Sequence, residues 1–137
     1  MRRIVLAATI LAAAACSSST GAPTLRQDCE DRFSRVWSSA QWAVGSLGGK
    51  VVHASEQSGT ILGRIDVDYL GSTVELNITV SRLPGNDPGS SQTVTVSINA
   101  VEPSVSDPDE ARIEELRRIE EQYLELVGSR AVCGSPM

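Results

Sequence analysis

Histidine, cysteine and aromatic residues are scarce in this sequence. Its 137 residues include one histidine, His53, with three cysteines, two tryptophans, two tyrosines and one phenylalanine. The cysteines have no CxxC spacing, which argues against a structural zinc site. Dinucleotide-binding, Walker and HExxH patterns are missing as well. We therefore expect neither a cofactor nor an enzyme, and a hydrolase that uses His53 is a distant alternative.

Long apolar runs are also missing beyond the N-terminal end. No later segment is long enough to cross a bilayer as a helix, which excludes a membrane channel. The hydrophobic content of 41% is too high for a disordered chain. A length of 137 residues suits one domain and excludes a multidomain enzyme.

The N-terminal end has the pattern of an export signal. Two arginines form a basic head, residues 4–15 are apolar or small apart from one threonine, and Cys16 follows. This pattern predicts a signal peptide over residues 1–15. The stretch LAAAAC resembles the lipobox of bacterial lipoproteins, and the resemblance implies cleavage before Cys16 and lipidation of that cysteine. Ala13 stands where leucine is usual, and an ordinary secretory signal is the alternative.

Cysteine number supports the lipid interpretation. The chain has three cysteines, and an unpaired thiol is a liability in an oxidising compartment. If Cys16 carries lipid, Cys29 and Cys133 remain as one disulfide pair. Two free buried thiols are the alternative.

Export also changes the charge balance. Loss of residues 1–15 removes two arginines, so the net charge goes from −5 to −7. An acidic domain is not expected to bind nucleic acid, because that binding depends on basic residues. Ser17 follows Cys16, which by resemblance to lipoprotein sorting in two-membrane bacteria implies the outer membrane, facing the periplasm. The expected partners are the membrane, through the lipid, and other envelope proteins.

The first part of the mature chain is predicted to be a tether followed by a helix. Residues 16–23 are small and polar, as in a flexible linker. Thr24 suits a helix cap, and apolar side chains then recur at spacings of three and four until Gly48. This helical stripe comprises Cys29, Phe33, Val36, Trp37, Ala40, Val44 and Leu47.

From residue 50 the hydrophobic period changes to two. It predicts strands at residues 51–54, 60–69, 73–82 and 92–100, with a Gly- and Pro-rich loop at 83–91. A last helix is predicted to begin at the cap Asp107 and to end at Gly128.

This order predicts a single α+β domain over residues 24–137. Its fold is a four-stranded antiparallel meander sheet with an N-terminal and a C-terminal helix on one face, α-β-β-β-β-α. Such a topology brings Cys29, in the first turn of the first helix, close to Cys133, beyond the last helix. We expect their Cα atoms to lie within about 7 Å of each other.

The predicted strand pairing brings three acidic side chains close together. Matching the apolar faces of the second and third strands places Asp66 directly across from Glu75, with Asp68 close by. Like charges in this position destabilise a sheet. Arg64 on the same face relieves the repulsion in one interpretation, and a weak divalent cation site is the alternative.

Two segments carry a family resemblance over residues 36–100. The run GGKVVHASEQSGTILGRI and the alternating TVELNITV resemble small uncharacterised bacterial lipoproteins. They are also similar to the helix-grip repeats of the C lipoprotein in the outer-membrane barrel-assembly machine. The resemblance implies a curled antiparallel sheet that grips a helix and a location in the envelope. It supplies no catalytic residues.

The favoured function is a non-enzymatic envelope lipoprotein that acts as a structural or protein-interaction module. Its contacts are expected at the exposed sheet face or at the 83–91 loop, and Trp42, which lies off the helical stripe, is a further contact candidate. The alternative is a carrier that holds a small apolar ligand between helices and sheet. The carrier would need a cavity lined by Phe33, Trp37, Tyr69 and Tyr123.

Overall fold

The structure is a computed structural model that describes residues 22–68, 70–82 and 92–136. The predicted signal peptide, Cys16, Tyr69 and the 83–91 loop lie outside these residues. The elements in chain order are β1 (Leu25–Asp31), α1 (Phe33–Ser46), β2 (Lys50–Ser55), β3 (Thr60–Val67), β4 (Ser72–Arg82), β5 (Gln92–Val101) and α2 (Glu110–Gly128).

The sheet has five antiparallel strands in the order β1-β5-β4-β3-β2. The α+β class, the antiparallel sheet and the meander from β2 to β5 are therefore confirmed. The predicted number of four strands is wrong, because β1 adds a fifth strand beside β5.

The strand β1 occupies residues that were predicted to begin the first helix. Its seven residues pair with β5 from Leu25 opposite Ile98 to Asp31 opposite Gln92, and α1 begins only at Phe33. Two of the side chains that β1 turns inward, Gln27 and Asp31, are polar, so no apolar alternation marks the strand. Pairing with a strand nearly 70 residues away supplies the backbone hydrogen bonds that the local sequence does not specify.

Helix α1 connects the two outermost strands of the sheet. Crossing five strands requires about 19 Å, and a helix of 14 residues is about 21 Å long. Helix α2 packs beside α1, and the Tyr123 hydroxyl donates a hydrogen bond to the Ala40 carbonyl at 2.9 Å. Both helices cover one face of the sheet, where the apolar side chains of β3, β4 and β5 are buried, and the other face is polar.

The pairing of β3 with β4 differs from the predicted one by two residues. The sequence suggested Val67 opposite Val74, whereas Ile65 takes that position. The strand ends at Val67, and the Gly71 N–H closes a turn onto the Val67 carbonyl at 2.9 Å. Gly71 has a φ of 66°, which favours glycine, so the turn sets the register.

Both ends of the folded domain differ slightly from expectation. Ala22, in the segment predicted to be a tether, is fully buried, and its carbonyl accepts a hydrogen bond from Asn99 at 2.6 Å. The cap of α2 is Asp109 rather than Asp107, since the Asp109 carboxylate accepts the Arg112 N–H at 2.9 Å.

Among the described residues, neither helix combines the length and the hydropathy that a bilayer crossing requires.

Candidate functional site

The polar face of the sheet, here called the outer face, has a centre without charged residues. Short polar side chains of β4 and β5 alternate there with the buried apolar ones. The polar centre comprises Asn77, Thr79, Ser81, Thr95, Ser97 and Asn99. Because these side chains are short, the centre of the outer face projects little from the sheet backbone.

Charged side chains flank this centre on both sides and form a charged rim, defined here as Asp28, Glu30, Arg64 and Glu75. On β1, Asp28 and Glu30 each accept a hydrogen bond at 2.8 Å from a β5 threonine hydroxyl. On the other side, Arg64 of β3 pairs with Glu75 of β4 at 3.7 Å. These cross-strand contacts hold the rim residues in place on a surface that remains accessible to solvent.

The acidic trio does not form the arrangement expected from the sequence. Because of the two-residue difference in register, Asp66 lies opposite Thr73 and accepts its hydroxyl hydrogen bond at 2.9 Å. Glu75 lies opposite Arg64 instead of Asp66. Within residues 22–68, 70–82 and 92–136, no three or more His, Cys, Asp or Glu side chains are grouped as metal ligands. The hypothesis of a cation site at this trio is therefore wrong.

The cysteine pair joins the edge of the sheet to the segment after α2. Cys29 and Cys133 form a β-bridge with their Cα atoms 3.8 Å apart, and their sulfur atoms lie 2.08 Å apart, compatible with a disulfide. The Glu30 N–H donates to the Val132 carbonyl at 2.7 Å, and the Gly134 N–H donates to the Asp28 carbonyl at 2.9 Å. The expected proximity is found, although Cys29 lies in β1 and not in a helix turn.

The aromatic residues proposed for a carrier cavity belong to the packed interior. The rings of Phe33 and Trp37 stack with centroids 6.0 Å apart. Tyr123 is fully buried, and burial raises the pKa of its hydroxyl well above the ordinary range. Tyr69, the fourth proposed residue, lies outside the described residues. Phe33 also borders an open cleft at Glu56–Gly59, whose lining does not include Trp37 or Tyr123.

Trp42 is partly exposed, as the sequence suggested, but its ring is covered by another residue. The exposed fraction is 37%, and the Arg130 guanidinium lies over the ring at 4.3 Å from the centroid. Stacking of this kind stabilises both side chains. His53 is exposed on β2 opposite Leu62, at the edge of the sheet.

Two fully buried carboxylates, Glu102 and Glu120, were missed by the sequence analysis. Glu102 is fully buried beyond the end of β5 and accepts two hydrogen bonds from Arg112 of α2, both at 3.0 Å, and one from Ser72. The period of two was the available signal, since it continues from Ile98 and Ala100 to Glu102. The Arg112 hydrogen bonds hold the pKa of Glu102 below its ordinary value of 4.5.

Glu120 lies in a different environment, inside the buried stripe of α2. It is four residues after Leu116 and four before Leu124, so the helical period itself places it toward the core. One carboxylate oxygen accepts the Ala100 N–H at 2.7 Å, and the other has no hydrogen-bond partner among the described residues. Burial raises the pKa of this carboxyl from 4.5 to about 7.

We expect the Glu120→Gln variant to be more stable than the unmodified protein at neutral to basic pH. A folded-state pKa above the unfolded one means that the carboxyl stabilises the fold below pH 4.5 and that this contribution is lost as pH rises to about 7. The amide accepts the same N–H without ionising. The variant should gain about 2 kcal/mol at about pH 8 and little at about pH 4 in urea denaturation.

The adjacent Glu121→Gln variant is the matched control for this prediction. Glu121 is exposed on the same helix and contributes only the smallest part of the rise in the pKa of Glu120, so its substitution should reduce the pH dependence only slightly. A Glu120→Gln protein whose stability follows pH in the same way as the unmodified protein would show that Glu120 ionises normally in the fold.

The comparisons with known proteins give no relative for this chain: no family model, no curated protein and no solved structure matches it.

Proposed function

We propose that this protein is a non-enzymatic cell-envelope lipoprotein, anchored by a lipid on Cys16, that binds other envelope proteins through the outer face of its sheet. The proposed location is the periplasmic side of the outer membrane. A disulfide between Cys29 and Cys133 belongs to this proposal, because an oxidising compartment favours the bond.

The observation that carries the proposal is the distribution of charge on the outer face. Its centre consists of threonine, serine and asparagine side chains, and its charged residues lie on β1, on β3 and at Glu75 near the start of β4. Protein interfaces share one part of this organisation, since charged residues are depleted at their centre and their rim is polar. The cross-strand hydrogen bonds order several of these side chains in advance, which reduces the entropy lost on binding.

The short distance along the chain from Cys16 to the sheet supports an interface that lies close to the membrane. The described chain begins at Ala22, which is bonded to Asn99 near one end of β5. Ala22 follows Cys16 by six positions, and a chain of that length spans at most about 20 Å. A lipid on Cys16 would hold the Asn99 end of the sheet near the bilayer, with the outer face open to neighbouring proteins.

The test is site-specific photo-crosslinking in intact cells, followed by mass spectrometry. A photoreactive residue in place of Ser97, at the polar centre, is expected to capture a discrete partner protein. The same residue in place of Glu121, exposed on α2 away from the sheet face, is the matched control. Equal adducts from both positions, or none from Ser97, would argue against an interface on this face.

The anchor is tested in the same cells with the Cys16→Ser variant. We expect this variant to leave the membrane fraction and to give fewer Ser97 adducts, because a lipid anchor concentrates the protein at the membrane surface. Unchanged fractionation would reject lipidation without affecting the interface itself.

An apolar-ligand carrier is the alternative function, and it has weaker support. The predicted carrier cavity needs Tyr123 in its lining, whereas Tyr123 is fully buried and bonds to α1. Phe33 and Trp37 contact each other there as well.

A further inference from the structure

A cleft lined by arginine and serine side chains lies between α1 and the segment that follows α2. Its volume is about 470 Å³, and it is lined by Arg32, Ser34, Arg35, Ser38, Ser39 and Arg130. The chain as a whole has 17 acidic and 12 basic residues. Three guanidinium groups in a lining without a carboxylate therefore make this cleft a local exception to the acidic character of the chain.

One wall of the cleft is formed by a single side of α1. Arg35, Ser38 and Ser39 follow one another at the spacing that brings helical residues onto one side. Ser39 is buried and donates its hydroxyl hydrogen bond to the Arg35 carbonyl at 2.7 Å. Ser34 and Ser38 are exposed, so their hydroxyl groups are accessible from the cleft.

The other wall is formed by Arg130, whose position is set by two contacts. Its guanidinium is stacked over the Trp42 ring at 4.3 Å. A guanidinium that presents its face to a ring directs the N–H donors at its edge sideways, in the plane of the guanidinium itself. Two residues further along, Val132 is hydrogen bonded to β1, which holds this segment against the sheet.

A buried carboxylate connects the two walls. Asp31 accepts the Arg32 N–H at 2.8 Å and the Val132 N–H at 3.1 Å, and one of its oxygens lies 3.7 Å from Nε of Arg35. It therefore orders both sides of the cleft and neutralises part of the Arg35 charge. Three arginines and one aspartate leave two positive charges around the cleft.

We propose that this cleft binds a phosphate group. A phosphate monoester carries a charge of about −1.5 to −2 at neutral pH and three strong acceptor oxygens, which matches the two remaining positive charges. Guanidinium groups bind phosphate through pairs of parallel N–H donors, and serine hydroxyls add further donors. The phosphate belongs either to a soluble phosphate ester or to a lipid headgroup. The inference depends on neither the lipid anchor nor the outer-face interface.

The test is a titration of the purified full chain, followed by the NMR signals of the arginine Nε–H groups and the Trp42 indole. Inorganic phosphate, glycerol 3-phosphate and dihexanoyl phosphatidic acid are the probes. We expect saturable shifts at Arg35, Arg130 and Trp42. Tighter binding of the phosphatidic acid than of glycerol 3-phosphate would identify a lipid headgroup, and equal affinities would identify a soluble ester.

Variants connect the binding to the cleft. Arg35→Gln and Arg130→Gln are each expected to weaken phosphate binding about tenfold, since each removes a charged donor pair. Arg117→Gln removes the same charge from the exposed side of α2 and is expected to change the affinity less than about twofold, because solvent screens distant charges. Ser38→Asp, at an exposed helix position, adds a repelling charge and should abolish binding without disturbing the core.

Three results would overturn the phosphate site. The first is an equal response to sodium chloride or sodium acetate at matched ionic strength. The second is an equal weakening by Arg117→Gln and Arg35→Gln. The third is unchanged binding by a folded Ser38→Asp protein.

Discussion

Replacing Cys133 with serine is expected to lower the free energy of unfolding by about 4 kcal/mol. The bridge would join residues 104 positions apart, and a cross-link that closes so long a loop strongly restricts the unfolded chain. It would also fasten the edge strand β1 to the segment after α2, which otherwise is held by the hydrogen bonds of Val132 and Gly134 to β1.

Urea denaturation with and without dithiothreitol measures this effect. The unmodified protein should lose about the same stability in reductant as it does on substitution, whereas the Cys133→Ser variant should be insensitive to reductant. Cys29→Ala is the complementary variant, because Cys29 is fully buried and alanine adds no hydroxyl to the core. The double variant should lose little more than either single one, since the two residues act as one unit.

A further measurement separates the bond from general packing. Amide hydrogen exchange at Val132 and Gly134 should accelerate in the Cys133→Ser variant more than exchange in β4, because the bond holds their segment locally. The bridge would be contradicted if both thiols could be titrated in the unreduced protein and if dithiothreitol left the free energy of unfolding unchanged.

The Arg112→Met variant is expected to be clearly less stable than the unmodified protein at neutral pH, because it leaves a buried carboxylate without its charged partner. Arg112 supplies two of the hydrogen bonds to the fully buried Glu102 and also donates to the Leu70 carbonyl at 2.9 Å. Methionine preserves much of the side-chain length but leaves Glu102 with the Ser72 hydroxyl as its remaining side-chain donor. An uncompensated buried carboxylate is strongly destabilising.

The destabilisation caused by Arg112→Met should depend on pH, because the pKa of Glu102 is lower in the folded protein than its ordinary value of 4.5. The ion pair therefore stabilises the fold fully at any pH above the pKa of the unfolded chain. This stabilisation is lost as the pH falls through the pKa of the folded protein. The difference between Arg112→Met and the unmodified protein should therefore shrink in acid. Comparing the two proteins at each pH removes the opposite trend that Glu120 causes.

Controls distinguish the lost ion pair from a general effect of the substitution. Arg118→Met changes an exposed arginine of the same helix and should alter stability by less than about 0.5 kcal/mol. Adding Glu102→Met to Arg112→Met should recover part of the loss, because it removes the buried charge. A loss that persists unchanged in acid would indicate a packing defect instead.

The elements with a clear local pattern were predictable from the sequence. Strands β3 to β5 follow an apolar and polar alternation, and α2 has an apolar stripe with a helical period, so each element signals its own buried face. The proximity of Cys29 to Cys133 was also expected, although for a different structural reason. Glu102 and Glu120 were within reach of the same periodicities, but neither was singled out from the sequence.

The interaction surfaces were less predictable, because they combine residues that are distant in the chain. The charge pairing on the outer face depends on a register that differs from the expected one by two residues. The arginine cleft unites α1 with Arg130, which is almost a hundred positions away. No local pattern connects these residues.

The amino-acid sequence by itself determined the α+β class, the antiparallel meander and the buried stripe of α2, because hydrophobic period is a local property. Only the tertiary structure determines that residues 25–31 form a strand. Their spacing fits a helix, yet they pair with β5 on one side and with the segment around Cys133 on the other. Backbone hydrogen bonds from two distant segments outweigh a weak local preference, and the fifth strand exists because those partners are present.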